Sequence, residues 1–166
     1  MIHFLKCLFQ SSAPNAALAW QQSGNEPGIA YWLYAAPVHL VLQRDSFSLV
    51  APVPLHLEKT EIDALTSAFN QHFNQNDMQF SWYENRWFLS LQNDPQIETK
   101  PPEQAINKNI AEFLPMGEGA MRWAKFQNEL QMLLFEHPVN LARDAKKLPV
   151  INSLWCYGLG RIYHAN

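Results

Sequence analysis

Alternation between hydrophobic and polar positions predicts a series of short β-strands. Residues 29–34 and 38–43 are β-prone runs separated by Ala-Ala-Pro, and residues 46–50 follow a turn at Arg44-Asp45. A hairpin is predicted around the polar turn at residues 83–86, because apolar residues alternate with polar ones on both sides of it: Met78, Phe80, Trp82, Trp87, Leu89 and Leu91. Residues 151–157 are predicted to form a last strand.

Helical spacing of apolar residues predicts two longer helices. Residues 61–75 follow a capping box at Thr60-x-x-Asp63 and place one stripe inward: Ile62, Leu65, Phe69 and Phe73. Residues 117–137 form the second, with these residues inward: Trp123, Phe126, Leu130, Leu133 and Leu134. Pro138 ends or bends this helix, and a short helical turn then carries Arg143. A further short helix is predicted over residues 106–114.

Turn-forming residues divide the chain. Residues 10–28 are rich in them, which predicts an irregular lead-in over residues 1–28 and a single α+β domain over residues 29–166. Prolines in residues 93–102 exclude a regular element there. The order of elements predicts a mostly antiparallel sheet with helices packed on one face.

Composition excludes several classes of protein. Hydrophobic residues are 48% and aromatic residues 13% of the 166 positions, which is too rich in core-forming side chains for a disordered chain. A net charge of −3 gives no electrostatic case for nucleic acid or an anionic membrane, and no apolar run approaches the ~20 residues that span a bilayer. Cys7 and Cys156 form no C-x-x-C pair, which excludes a disulfide framework and a cysteine zinc site. Lys6 interrupts the apolar N-terminus, so no signal peptide is expected. We expect a cytoplasmic protein.

Candidate catalytic and metal-binding residues do not assemble into a known pattern. The five aspartates are scattered, no His-x-x-x-His or Asp-x-x-x-His pair occurs, and spacing alone identifies no catalytic triad. We therefore predict no catalytic residue, no metal and no cofactor. His137, beside Glu136, fits acid–base work or, as a cation, the closing of the long helix. His39 and His72 are expected to be structural.

Three arginines are candidates for an anion site. Arg44 follows a strand, Arg86 opens one, and Arg143 follows Asn140. A guanidinium is a planar fork that matches the oxygens of carboxylates and phosphates. The alternative is an ordinary salt bridge for each arginine with a neighbouring acid such as Asp45, Glu84 or Asp144.

Several strings in the chain carry a resemblance to known proteins. They are Tyr31-Trp-Leu, Arg44-Asp-Ser, Asn70-x-His72-Phe, Arg86-Trp-Phe-Leu, Asn128-Glu-Leu-Gln-Met-Leu-Leu, His137-Pro-Val-Asn140-x-x-Arg143 and Asn152-Ser-Leu-Trp155. On these residues the chain resembles a proteobacterial family of uncharacterised proteins, described as phosphoglycerate mutase-like or as a regulator of pathogenicity-factor synthesis. The last two strings also resemble the inserted domain of archaeal-type cofactor-independent phosphoglycerate mutases. The resemblance covers roughly three quarters of the chain.

The resemblance implies a fold and a ligand. The fold is that of the mutase inserted domain, whose arginines help to hold phosphoglycerate. It implies that a small phosphorylated or carboxylate acid binds at Arg44, Arg86, Arg143, Asn140 and His137, with Arg44 and Arg143 facing one cleft. Two departures concern glycines: the family string ends Trp-x-Trp-Gly-Gly-Gly where this chain has Trp155-Cys-Tyr-Gly-Leu-Gly160, and Lys147-Leu148 stands where a glycine is expected.

Three functions remain open at this point. The favoured one is a non-catalytic binding or regulatory domain. The second is a phosphoglycerate mutase-like phosphoryl-transfer domain that needs a missing catalytic half. The third is a structural or oligomerisation module. The expected partners are a small phosphorylated acid and a protein partner or second copy, with neither nucleic acid nor membrane.

Overall fold

A five-stranded antiparallel sheet forms the centre of the molecule. The computed structural model describes residues 15–162. The central strand β1 (Tyr31–Leu42) pairs with β5 (Ser153–Gly160) along one edge. β4 (Arg86–Leu91) pairs with the first part of β1, β2 (Phe47–Val50) pairs with its last part, and β3 (Met78–Tyr83) lies outside β4.

β1 is one strand where two were predicted, because Pro37 sits at a place that tolerates it. The Pro37 carbonyl accepts a hydrogen bond from the Leu55 N–H, whereas the next carbonyl, of Val38, accepts one from Asn152 at the β5 edge. Pro37 therefore directs its backbone away from β5. On that side β4 stops pairing at Ala35 and β2 begins at residue 39, so the missing proline N–H removes no bond from a ladder.

Three helices cover one face of the sheet, which confirms the predicted α+β class. They are α2 (Lys59–His72), α3 (Ala120–Phe135) and α4 (Pro138–Ala145). Their apolar stripes meet Leu33, Trp87 and Leu89 of the sheet in one core. All four residues of the predicted α2 stripe are buried, and so are the predicted inward residues of α3 except Leu133, which is half-buried.

A fourth helix and a loop cover the other face of the sheet. α1 (Ala16–Gln22) packs Ala16 and Ala17 against Trp32, Tyr34 and Phe88. The prediction of irregular chain is wrong for residues 16–22, because Asn15 caps this helix by accepting a hydrogen bond from the Leu18 N–H at 3.2 Å. The part of that prediction that concerns residues 1–14, including the expectation about the apolar N-terminus, lies outside the described residues.

The start of α2 and the structure of residues 106–114 also differ from those predicted. α2 begins two residues early because its capping box is Glu58 with Glu61, and not Thr60 with Asp63: the Glu61 carboxylate accepts a hydrogen bond from the Glu58 N–H. No α-helix forms over residues 106–114. Two short 3₁₀ helices, Pro102–Gln104 and Ile110–Phe113, occur instead in the loop that packs under β1 and β2.

Within residues 15–162, no helix combines the length and the apolar character needed to cross a membrane.

Candidate anion site

Arg44 and Arg143 differ in environment. Arg44 lies exposed in the turn between β1 and β2. Arg143 is 6% exposed in α4, and its Nη1 lies 3.0 and 3.1 Å from the two carboxylate oxygens of Glu61 in α2. Its Nε donates to the Pro149 carbonyl at 2.7 Å. The partner of Arg143 is therefore Glu61 rather than the neighbouring Asp144, and its guanidinium is engaged within the protein.

The Glu61 carboxylate responds to this pairing. Burial acts to raise its pKa, but the hydrogen bond from the Glu58 N–H, the Arg143 guanidinium and the charge of Lys146 together outweigh burial, so the pKa lies below its ordinary value. The ion pair joins two helices across the edge of the core.

Asn140 is also engaged within the protein. It is 4% exposed, and its carboxamide donates to the carbonyls of Leu134 and Ile151 and accepts from the Ile151 N–H, all at 2.8 Å. These three bonds fasten the end of α3 and the approach to β5. The position has no free polar atom to offer a ligand.

His137 caps α4 instead of closing α3 as a cation. Its Nδ1 accepts a hydrogen bond from the Val139 N–H at 3.1 Å, and Pro138 occupies the first helical position. Burial lowers the pKa of His137, which favours the neutral imidazole that this bond requires. The predicted cationic role of His137 is therefore wrong, because its Nδ1 accepts a hydrogen bond at the start of α4. His39, expected to be structural, donates from Nδ1 to the Val150 carbonyl at 2.8 Å.

Arg86 is a predicted site residue whose side chain lines a cavity and forms no ion pair with an acidic side chain of the described residues. The half-buried guanidinium lies over the Tyr34 ring at 4.4 Å and the Phe88 ring at 5.2 Å from the centroids. Its Nε is buried without a hydrogen-bond partner, and no carboxylate of residues 15–162 forms an ion pair with it. The predicted pairing with Glu84 is thus absent from the described part of the chain.

The cavity at Arg86, of about 190 Å³, opens beside the central strand on the face that α1 covers. We call it the Arg86 niche. Its walls include Tyr34, Tyr157, Glu103 and the prolines Pro37, Pro54 and Pro102. Tyr34 and Tyr157 are paired in the register of β1 and β5, and their rings lie 5.0 Å apart.

Both tyrosines of the Arg86 niche keep their protons. Burial raises the pKa of Tyr34, against a smaller opposing effect of Arg86. Burial also raises the pKa of Tyr157, and the Glu103 carboxylate adds to this. The Tyr34 hydroxyl donates to the Asn15 carbonyl at 3.4 Å, so the niche combines one cation with the neutral Tyr157 hydroxyl, which can donate a hydrogen bond.

The described residues offer neither a reactive thiol nor a metal site. Burial raises the pKa of the Cys156 thiol to about 12, so it stays protonated and is no nucleophile. In residues 15–162, no three His, Cys, Asp or Glu side chains are grouped in a way that could hold a metal ion.

Curated relatives of this chain are phosphoglycerate mutases, and each matches only in part. No protein-family model matches. Over 62 residues the chain is 39% identical to a probable 2,3-bisphosphoglycerate-independent phosphoglycerate mutase of Geobacter sulfurreducens. These residues make up 37% of this chain and 15% of that protein. Over 60 residues it is 35% identical to the 2,3-bisphosphoglycerate-independent phosphoglycerate mutase of Methanothrix thermoacetophila, again 15% of that protein and 36% of this chain.

A solved structure shows the same fold over most of the chain. The cofactor-independent phosphoglycerate mutase of Thermoplasma acidophilum aligns with a TM-score of 0.56 at 17% identity, covering 82% of this chain and 38% of that one. At this identity the likeness concerns the fold. The predicted resemblance to cofactor-independent phosphoglycerate mutase is confirmed in part, while the resemblance to the proteobacterial family stays a prediction. The chain thus shares its α+β fold with a part, well under half, of a cofactor-independent phosphoglycerate mutase.

Proposed function

We propose that this chain is a non-catalytic binding domain that holds a small phosphorylated or carboxylate anion in the Arg86 niche. The observation that carries the proposal is the half-buried Arg86 guanidinium, which has no acidic partner in residues 15–162 and an unpartnered Nε. The likeness to part of a phosphoglycerate mutase supports a phosphorylated acid as the ligand class. The inserted domain of the mutases is the part that we propose as the counterpart.

An anion would satisfy the charge that the protein leaves unpaired. A partly desolvated cation is costly unless it is paired and hydrogen-bonded. The guanidinium offers parallel N–H donors to two oxygens, and the protonated hydroxyl of Tyr157 can donate to another. Glu103 stands exposed at the rim and disfavours a second anionic group of the ligand within the niche. A single phosphate or carboxylate group suits these conditions.

A regulatory role belongs to the same proposal. A domain that binds a phosphorylated acid without turning it over reports the concentration of that acid to a partner protein. In this proposal the protein is cytoplasmic, where such acids occur, and Arg44 and Arg143 lie outside the site. Asn140 and His137 support the fold on the opposite face of the sheet.

Binding measurements test the anion site directly. Calorimetry with 3-phosphoglycerate, inorganic phosphate and citrate should show saturable heat for at least one of them. Arg86→Lys should weaken binding about tenfold, ~1.4 kcal/mol, because an ammonium cannot form two parallel bonds. Arg44→Lys is the matched control and should bind as the parent does. Unchanged binding in Arg86→Lys, or no heat with any of the three anions, would contradict the proposal.

A second proposal is supported by the alignment to 38% of a mutase chain. In it the domain works with a catalytic half carried by another part of the same protein or by another chain. Mixing this chain with a phosphoglycerate mutase from which the aligned part has been deleted tests it. Restored mutase turnover would support the second proposal, and an inactive mixture of two folded proteins would reject it.

A further inference from the structure

The outer face of α3 carries a stripe of exposed apolar side chains. Met121, Met132 and Phe135 are 87%, 75% and 79% exposed. Together with the exposed Lys125 and Asn128 they recur at alternating intervals of four and three residues, which is the spacing of the seam between two packed helices. We call these five residues the α3 seam.

Exposed Met and Phe side chains at this density are unusual for a helix that faces water. The opposite side of α3 already buries Trp123, Phe126, Leu130 and Leu134 in the core. A helix with apolar residues on both sides is typically covered on both sides. Exposed apolar side chains that recur along one helix face, in contrast to singly scattered ones, mark a contact with another molecule.

We propose that the α3 seam is the contact between two copies of this chain, packed antiparallel about a two-fold axis at Asn128. In this register Met121 of each copy meets Phe135 of the other, and the aliphatic part of Lys125 covers Met132. The two Asn128 carboxamides meet at the axis, where they can hydrogen-bond to each other. Every position of the seam thus finds a compatible partner in a second copy.

Charges beside the seam favour the antiparallel direction. Arg122 and Glu136 occupy equivalent positions on one flank, near opposite ends of α3. Antiparallel packing brings each Arg122 towards Glu136 of the other copy, whereas parallel packing would place this flank against the opposite flank, which carries the uncharged Ala124 and Gln131. Glu129, between them on this flank, lies 3.8 Å from His72 of its own chain, which offsets its charge when the histidine is protonated.

The two ends of α3 complement each other in shape. At its C-terminal end, Phe47, Phe135 and Leu141 line a cavity of about 600 Å³. Just before its N-terminal end, Met116 is 60% exposed. An antiparallel pair carries Met116 of one copy towards the cavity of the other. Since one helix pair covers less than the ~1,200 Å² of a stable interface, we expect a reversible dimer that forms with rising concentration.

Sedimentation velocity from micromolar to millimolar concentration tests the dimer. The full chain should shift from monomer to dimer, and Met132→Glu should abolish the shift. Ile29→Glu is the matched control, because Ile29 is 72% exposed but lies outside α3. A monomer at all concentrations, or a dimer unaffected by Met132→Glu in a folded protein, would overturn the proposal.

Cysteine crosslinking tests the direction of packing. In a Cys7→Ser background, Asn128→Cys should give a disulfide-linked dimer on mild oxidation, because the two positions meet at the axis. Met121→Cys should not, because the two copies of position 121 then lie roughly 20 Å apart along the helix axes. Crosslinking of both variants would mean a parallel pair and would overturn the antiparallel register, as would failure of Asn128→Cys.

Discussion

Three asparagines replace missing strand neighbours in this fold. Asn70 accepts from the Phe80 N–H and donates to the Phe80 carbonyl at the free edge of β3, at 2.8 and 2.9 Å. Asn152 bonds in the same way to Leu40, and Asn140 to Ile151. A carboxamide carries both a donor and an acceptor, so it satisfies both backbone groups of one residue. Capping the β3 edge in this way also blocks pairing with another strand.

Replacing Asn140 by Asp tests this use of the carboxamide. The change removes both donated bonds, to Leu134 and Ile151, and places a carboxylate against two buried carbonyl oxygens. We expect a loss of ~3 kcal/mol or more in the free energy of unfolding, measured by urea denaturation. Asn93→Asp, at an exposed loop position, is the control and should change stability by less than ~0.5 kcal/mol. A small effect at position 140 would mean that the buried bonds contribute little.

Lys147 adopts a conformation that glycine adopts more easily. Its φ is 57°, at the residue after the C-cap of α4, and the next N–H, of Leu148, bonds back to the Arg143 carbonyl at 2.9 Å. These are the features of a Schellman motif, whose left-handed position is usually glycine. The departure seen in the sequence, Lys147-Leu148 where the resembled family has glycine, thus falls on a position with positive φ.

Lys147→Gly should therefore stabilise the protein. Relief of the left-handed strain, ~1–2 kcal/mol, exceeds the ~0.5–1 kcal/mol that glycine costs through the unfolded chain. We expect a net gain of about 0.5 kcal/mol in thermal or urea unfolding. Lys146→Gly removes the same charge at φ −91° and should be destabilising instead. Equal effects of the two changes would argue against a conformational cause.

At the scale of elements, one ion pair connects α2 and α4, and it predicts a pH dependence. The pKa of Glu61 is lowered in the folded protein, so its ion pair with Arg143 stabilises the fold above the unfolded pKa of about 4.5. That contribution is lost as the pH falls through the lower folded value. Glu61→Gln should reduce stability at neutral pH and flatten its decline below about pH 4.5. Glu118→Gln, at an exposed position, should leave the decline unchanged.

The elements that periodicity predicted correctly have one buried face and a clear end. α2, α3 and the β3–β4 hairpin are of this kind, and Glu84 and Asn85 in that hairpin adopt the positive φ that a tight turn needs. The break predicted within β1 is wrong. Pro37 is tolerated because β4 has stopped pairing and β2 has not yet begun beside it, which the sequence does not show. α1 was missed because its seven residues have little pattern of their own and depend on the sheet face that they cover.

At the scale of the whole molecule, the sequence identified one residue of the candidate site and missed its surroundings. Arg86 was predicted from its chemistry and its place at a strand start. Tyr34 and Tyr157 were not, because they become neighbours only when β1 pairs with β5 across more than a hundred residues. Arg143 has the same chemistry as Arg86, yet it binds Glu61 in another helix. The sequence therefore offered several candidate guanidinium groups, and tertiary pairing decided which of them have no acidic partner in residues 15–162.

Activity is the property on which the whole molecule makes its clearest prediction. The aligned region covers 38% of a cofactor-independent phosphoglycerate mutase, and within residues 15–162 no three His, Cys, Asp or Glu side chains are placed to hold a metal. Mutase chemistry needs metal ions to stabilise the attacking and leaving oxygens. We expect no conversion of 3-phosphoglycerate by the purified chain with manganese or magnesium, followed by phosphorus NMR. Arg86→Lys, prepared in parallel, should give the same background. Turnover that copurifies with the parent and falls in Arg86→Lys would show a catalytic domain and would replace the binding proposal with an enzymatic one.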